Sequence, residues 1–193
     1  MPLLWLRVAT VLYGVGLIHA ILMLRQRGER FGKIAAPAVC LGMVFHFVSV
    51  VETAILYGYA ELLTIRHAES VLALLIAIIF TILFVRYRTA SPAAFIFPLI
   101  FVLTFASAIA QHRVSFPSPT FRSGWILFHV STLLFGYAML FLSFVSSLLY
   151  LVLSRQLKRK QTSSWAARLP SLQEVDELGY KALVLGFPFM TVG

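Results

Sequence analysis

Two histidines carry the chemistry that this chain can offer. His46 lies in the middle of a long apolar run, and His129 lies near one end of another. An ionisable side chain at mid-bilayer depth is costly, so it faces the interior of a helix bundle and finds a partner there. An imidazole in that position can ligate a metal, relay protons, or bond a neighbouring carbonyl or hydroxyl. Gly42, His46, Ser49 and Thr53 recur at four-, three- and four-residue steps. That spacing gathers them on one helical face, and small and hydroxylated residues favour close helix packing in lipid. His129, Gly136, Ser143 and Tyr150 recur every seven residues, again close to a common face. For both histidines, ligation and plain interhelical hydrogen bonding stand as open alternatives. Arg7 and Glu52 are the other charges inside apolar runs, at similar depth from the same end. Their spacing predicts an ion pair docking the first two spans, with Arg7 snorkelling to the interface as the alternative. His67 and His112 border loops on the same side as His129, where three imidazoles could serve a metal. His19, among ordinary apolar neighbours, reads as structural.

The elements that must position these groups are membrane helices. The 193 residues are 60% hydrophobic and 12% charged, with a mean hydropathy of +0.91. A spanning helix needs about 20 apolar residues. The pattern predicts an all-α polytopic transmembrane helix bundle, a single domain over residues 1–193, with five full spans plus the start of a sixth. The spans fall at about residues 3–24, 34–58, 70–85, 92–111 and 125–153, with a polar loop at 61–69 and a Pro/Ser-rich turn region at 112–124. Ser171 and Glu174 form a capping-box pattern, followed by Leu172, Val175 and Leu178 at helical spacing. A short interfacial helix is expected there, leading into a sixth span that begins near Tyr180 and is too short to cross.

The net charge of +9 does not indicate nucleic acid, because the basic residues sit in short loops between apolar runs. Arg25, Arg27, Arg30, Lys33, Arg86, Arg88, Arg155, Lys158, Arg159, Lys160, Arg168 and Lys181 share one side, against Arg7, Arg66, Arg113 and Arg122 on the other. The basic side is therefore cytoplasmic and the N-terminus external. Cys40 is the single cysteine, so no intrachain disulfide forms. The first span lacks the features of a cleaved signal, since its basic cluster follows the apolar stretch. No phosphate loop, nucleophile elbow, paired-Cys site or HExxH is present. Nothing specifies an ordinary hydrolytic or transfer enzyme.

The second half resembles the haem-handling membrane proteins of cytochrome c assembly, of the CcsA/ResC type, and their HemX-like relatives. The residues that carry this are Trp125-Ile126-Leu127-Phe128-His129-Val130-Ser131, Phe135-Gly136-Tyr137-Ala138 and Ser143-Phe144-Val145-Ser146-Ser147-Leu148-Leu149-Tyr150-Leu151. Leu169-Pro170-Ser171-Leu172, Leu178-Gly179-Tyr180-Lys181-Ala182 and Gly186-Phe187-Pro188-Phe189 continue it. The N-terminal spans match in general pattern only. The resemblance implies that His129 is an external axial ligand to the iron of haem b, with Trp125 and Phe128 against the macrocycle; His46, from its mid-span position, stands as a further candidate cofactor-binding residue. It implies a multi-pass protein of the bacterial inner membrane that presents haem to apocytochrome c beside a CcsB/ResB-type membrane partner. Any enzymatic role would lie in a cytochrome c synthase complex. The family's Trp-rich motif and second external histidine are not in this sequence, so the chain is expected to be the N-terminal part of a longer protein.

Two alternatives remain. One is a HemX-like regulator of haem synthesis. The other is a transporter or channel subunit using His46, Glu52 and Arg7 as a proton or ion path.

Overall fold

The computed structural model describes residues 1–25, 29–87, 93–109, 124–158 and 171–193. It is all-helical. The order is α1 (Pro2–Arg25), α2 (Glu29–Tyr57), a short 3-10 turn (Tyr59–Leu63), α3 (Ile65–Tyr87), α4 (Ala93–Ile109), α5 (Gly124–Lys158) and α6 (Leu172–Val192). With water excluded, a helix satisfies its own backbone groups, which is why apolar runs of this length adopt it.

Three helical segments are long and apolar enough to cross a membrane: Pro2–Leu22, Ile34–Tyr57 and Gly124–Lys158. The apolar stretches of α3 and α4, His67–Ile82 and Ile96–Ile109, are shorter. The expectation of five full spans is therefore met by length and composition at three places among the described residues. The boundary between the second and third spans also differs from the expected polar loop. Gly58 has φ 86, a backbone conformation open to glycine, and turns the chain. Residues 59–63 then wind as 3-10 helix, and α3 starts at Ile65, earlier than expected. The extended Thr64 begins it, accepting from the Ala68 amide.

α1 and α2, α2 and α3, and α5 and α6 pack antiparallel. α1 and α2 meet through Trp5 stacked on Phe45 and through Gly16 against Val39 and Gly42 against Tyr13. α4 fills the other side of α1, with Phe101 against Gly14, and packs on α3 through the edge-to-face pair Phe80 and Phe97. α5 and α6 form the second tight pair. Its seam is set by glycines: Gly179 against Ser146, Gly186 against Met139 and Gly136 against Met190.

α6 departs from the expected interfacial helix followed by a partial span. It is one continuous helix of 21 residues, about 31 Å long at 1.5 Å per residue. The capping box forms as the sequence indicates: Ser171 Oγ accepts from the Glu174 amide, and the Glu174 carboxylate accepts from the Ser171 amide. The helix does not break at Tyr180 because Gly179 and Ala182 are both buried against α5. Its far end brings Gly193 against Leu133, one turn from His129.

Candidate functional site

The first polar centre is built from three helices. His46 is fully buried on α2, with Tyr13 of α1 and Ser70 of α3 also buried around it. Tyr13 Oη lies 3.3 Å from His46 Nδ1, and Ser70 Oγ lies 2.7 Å from His46 Nε2. A neutral imidazole donates at one nitrogen and accepts at the other, so one hydroxyl donates to the ring and the other accepts from it. The Tyr13 ring also meets the imidazole edge-on, with centroids 5.8 Å apart. Both ring nitrogens are occupied by hydroxyls, so in this arrangement neither is open to a metal. Of the two readings left open, the geometry supplies interhelical hydrogen bonding.

The stripe that carries His46 turns inward as its spacing predicts. Ser49 and Thr53 are buried with it. Ser49 Oγ donates to the Pro2 carbonyl at 2.7 Å, and Thr53 Oγ1 donates to the Ser49 carbonyl at 2.8 Å. Tyr13 and Ser70 were not singled out in the sequence. A tyrosine inside an apolar span, flanked by Ala9, Gly14 and Gly16 that let helices approach, was the available signal. Ser70 reads as a span boundary because its depth depends on where α3 begins.

The expected pair of Arg7 and Glu52 does not form. Glu52 Oε1 instead takes the Met1 ammonium, because the antiparallel fit of α1 on α2 brings residue 1, not residue 7, to that level. Arg7 is exposed on the other face of α1. The second carboxylate oxygen of Glu52 is buried without a hydrogen-bond partner among the described residues.

The second centre is the N-terminal end of α5. Trp125, Phe128 and His129 fall at i, i+3 and i+4 and so share one face of the first two turns. The Trp125 and Phe128 rings lie with centroids 6.0 Å apart, tilted by 33°. Trp125 is 72% and Phe128 51% exposed, and His129 is exposed with them. Further along the same stripe, Gly136 is buried against Met190. His129 continues the α6-facing side of α5, one turn from Leu133, the residue that Gly193 packs against. Thr132 Oγ1 donates to the Phe128 carbonyl at 2.7 Å, a back-bond that tends to bend a helix at that turn.

Among the described residues, the remaining imidazoles do not join this face into a metal centre. His67 Nδ1 lies 2.9 Å from Thr64 Oγ1 and 3.6 Å from Glu61, within its own corner at the start of α3. His112 lies outside the described residues. Among the described residues, no group of three or more His, Cys, Asp or Glu side chains could hold a metal ion. His19 Nδ1 lies 2.8 Å from the Val15 carbonyl, a bond within α1.

A haem demands less of the protein than a bare ion, since the macrocycle fills four of the iron's positions. An exposed imidazole beside two exposed aromatic rings can supply one axial bond and an apolar surface. The described residues fit one half of such a site. His129 would be the ligand, and Trp125 and Phe128 would cover the adjoining ring surface.

Comparison with known proteins finds relatives named for cytochrome c biogenesis. The chain is 28% identical over 166 residues to the cytochrome c biogenesis protein CcsA of Porphyra purpurea, covering 65% of this chain and 52% of that protein. It is 23% identical over 191 residues to CcsA of Cyanidium caldarium, covering 85% of this chain and 63% of the relative. It is 29% identical over 89 residues to the protein HemX of Brevibacillus brevis, covering 46% and 33%. The chain spans about half the length of most of the curated relatives it matches. No solved structure is a significant match. Residues 64–193, from the corner before α3 through α6, match the cytochrome c assembly protein family, and the chain belongs to it.

Proposed function

We propose that this protein is a haem-binding integral membrane component of cytochrome c maturation, which presents haem b at the external face for attachment to apocytochrome c. The observation that carries this is the exposed Trp125, Phe128 and His129 face at the outer end of α5, inside the stretch that matches the family. Haem iron, when bound, supplies the coordination chemistry. The chain's own part is to hold an imidazole and two aromatic rings on a rigid helix at the bilayer surface.

The proposed topology has five spans, α1 to α5, with the N-terminus external in a bacterial inner membrane. α3 and α4 have 23 and 17 residues, about 34 and 26 Å long, near the bilayer's hydrocarbon thickness of about 30 Å. The basic residues Arg155 and Lys158 close α5 on the opposite side. A CcsB/ResB-type protein is the proposed membrane partner.

Haem titration of the purified protein tests the ligand assignment. His129→Ala should weaken haem binding or shift the Soret band. His129→Gly should be partly rescued by added imidazole, which fills the vacated space. His19→Ala should leave the spectrum alone. An unchanged spectrum and unchanged cytochrome c maturation in His129→Ala would remove His129 as a ligand.

A second reading, a HemX-like influence on haem synthesis without haem transfer, is supported by the match to HemX. Deletion would then alter porphyrin levels while leaving covalent haem attachment intact. The transporter reading is disfavoured by the geometry. His46 is enclosed by two hydroxyls, Glu52 is paired at the N-terminus, and Arg7 is exposed on the opposite face, so the three line no common route.

A further inference from the structure

α5 and α6 attach to the other four helices mainly through α3 and the 3-10 turn before it. α3 is thus the bracket between the α1–α2–α4 group and the helix that carries His129. Two side-chain hydrogen bonds tie α3 to α2 among the described residues. One is the weak contact of Thr81 with the Met43 sulfur at 3.2 Å. The other is Ser70 to His46 at 2.7 Å, in the outer half of α3. His46 is held in turn by Tyr13 of α1. The three residues span three helices in a fully buried line, beneath the corner where residues 59–63 touch α5.

We propose that Tyr13, His46 and Ser70 form a hydrogen-bonded clasp that fixes the outer end of α3 and the 3-10 turn against α5, making them positioning residues for the His129 haem face. This rests on the haem reading above. It assigns His46 a role toward haem that acts through α3 and not through the iron. The physical basis is the cost of the alternative arrangement. In a bilayer interior, an imidazole or hydroxyl that loses its partner has no water to turn to. The clasp therefore closes in one register, and α3 cannot slide along or roll on α2 without breaking it. Apolar contacts alone tolerate such sliding, because neighbouring apolar registers cost little.

The test uses this chain with Cys40→Ala and spin labels on cysteines at Tyr59 and Ser131, both exposed, together with titration by haem b. The parent should give one narrow label distance. His46→Ala should broaden it and weaken haem binding about tenfold, the equivalent of one hydrogen bond, with the Soret position of the bound form unchanged. Ser70→Ala and Tyr13→Phe, which delete one hydroxyl each, should do the same in smaller measure and serve if His46→Ala folds poorly. His46→Gln, which keeps a donor and an acceptor, should recover both readouts in part. An unchanged label distance in all three deletions overturns the clasp. So does a shifted Soret band with an unchanged distance, since His46 would then be a ligand. A broadened distance with haem affinity unchanged also overturns it, provided His129→Ala lowers affinity in the same preparation. If His129→Ala has no effect on haem, the haem reading fails by itself, and the distance measurement alone judges the clasp.

Discussion

Gly186 offers a quantitative check on the α5–α6 seam. A methyl group built on it lies 2.9 Å from Met139 Cβ, 3.3 Å from the Gly136 carbonyl oxygen and 3.3 Å from the Leu140 amide nitrogen. Each of these atoms is backbone or Cβ, so no flexible side-chain end can swing aside. Carbon atoms are comfortable at about 3.5–4.0 Å, so Gly186→Ala must part the helices locally by about 0.6–1 Å. A gap of that size forfeits a quarter to a half of the dispersion energy of the contacts it opens. Overpacking of this kind costs about 1–3 kcal/mol, offset by about 0.5–1 kcal/mol of helix propensity gained on replacing glycine. The expected net effect is a loss of about 1 kcal/mol. Gly186→Leu, with three more carbons in the same space, should cost several times that. Thermal unfolding in detergent, followed by circular dichroism, measures both. Gly124→Ala is the control, because a methyl there meets nothing within 4 Å. A Gly186→Leu protein that melts with the parent would mean that α6 does not lie on α5 in this register. The placement of α6 below His129 would fall with it.

Two further outcomes follow from the geometry. Glu52 pairs with the Met1 ammonium and not with Arg7, so the stability effects of Arg7→Leu and Glu52→Gln should add within about 0.5 kcal/mol; a coupling well above that in a double-mutant cycle would restore the ion pair between them. With the N-terminus external, a cysteine at Tyr59 should label with an impermeant reagent from outside and one at Lys158 should not, and the reverse pattern would invert the topology and move the His129 face to the cytoplasm.

The helical architecture was legible because apolar runs punctuated by basic clusters leave a bilayer-spanning chain few options. The helix ends were less so. α3 begins at Ile65 and not near Ser70 because a glycine with positive φ and a 3-10 turn carry the chain round the corner. Polar residues such as Glu61 and Glu69 look like loop whether or not they are wound. The capping box at Ser171 was legible because both halves of it are local. The continuity of α6 was not, since it depends on Gly179 and Ala182 finding α5. Long-range pairing failed in the same way. Equal distance from the span ends predicted Arg7 with Glu52, but the register in which α1 packs on α2 sets residue 1, not residue 7, level with Glu52.

The two histidines show how far residue type and spacing reach. Each lay on a stripe of small or polar residues, and each stripe did turn toward a neighbouring helix, at Gly42 against Tyr13 and at Gly136 against Met190. What spacing could not give was which side chains the neighbouring helices place beside each imidazole. On α2 the neighbouring helices bring a hydroxyl to each ring nitrogen of His46. On α5, His129 is exposed, with two exposed aromatic rings beside it. An enclosed imidazole with both nitrogens satisfied is suited to holding helices in register. An uncovered one at a helix end, flanked by aromatic surface, is suited to receiving a large planar ligand. That difference arises in packing, not in residue type, and on the function proposed above it gives His129 the haem-facing task and His46 the task of holding helices.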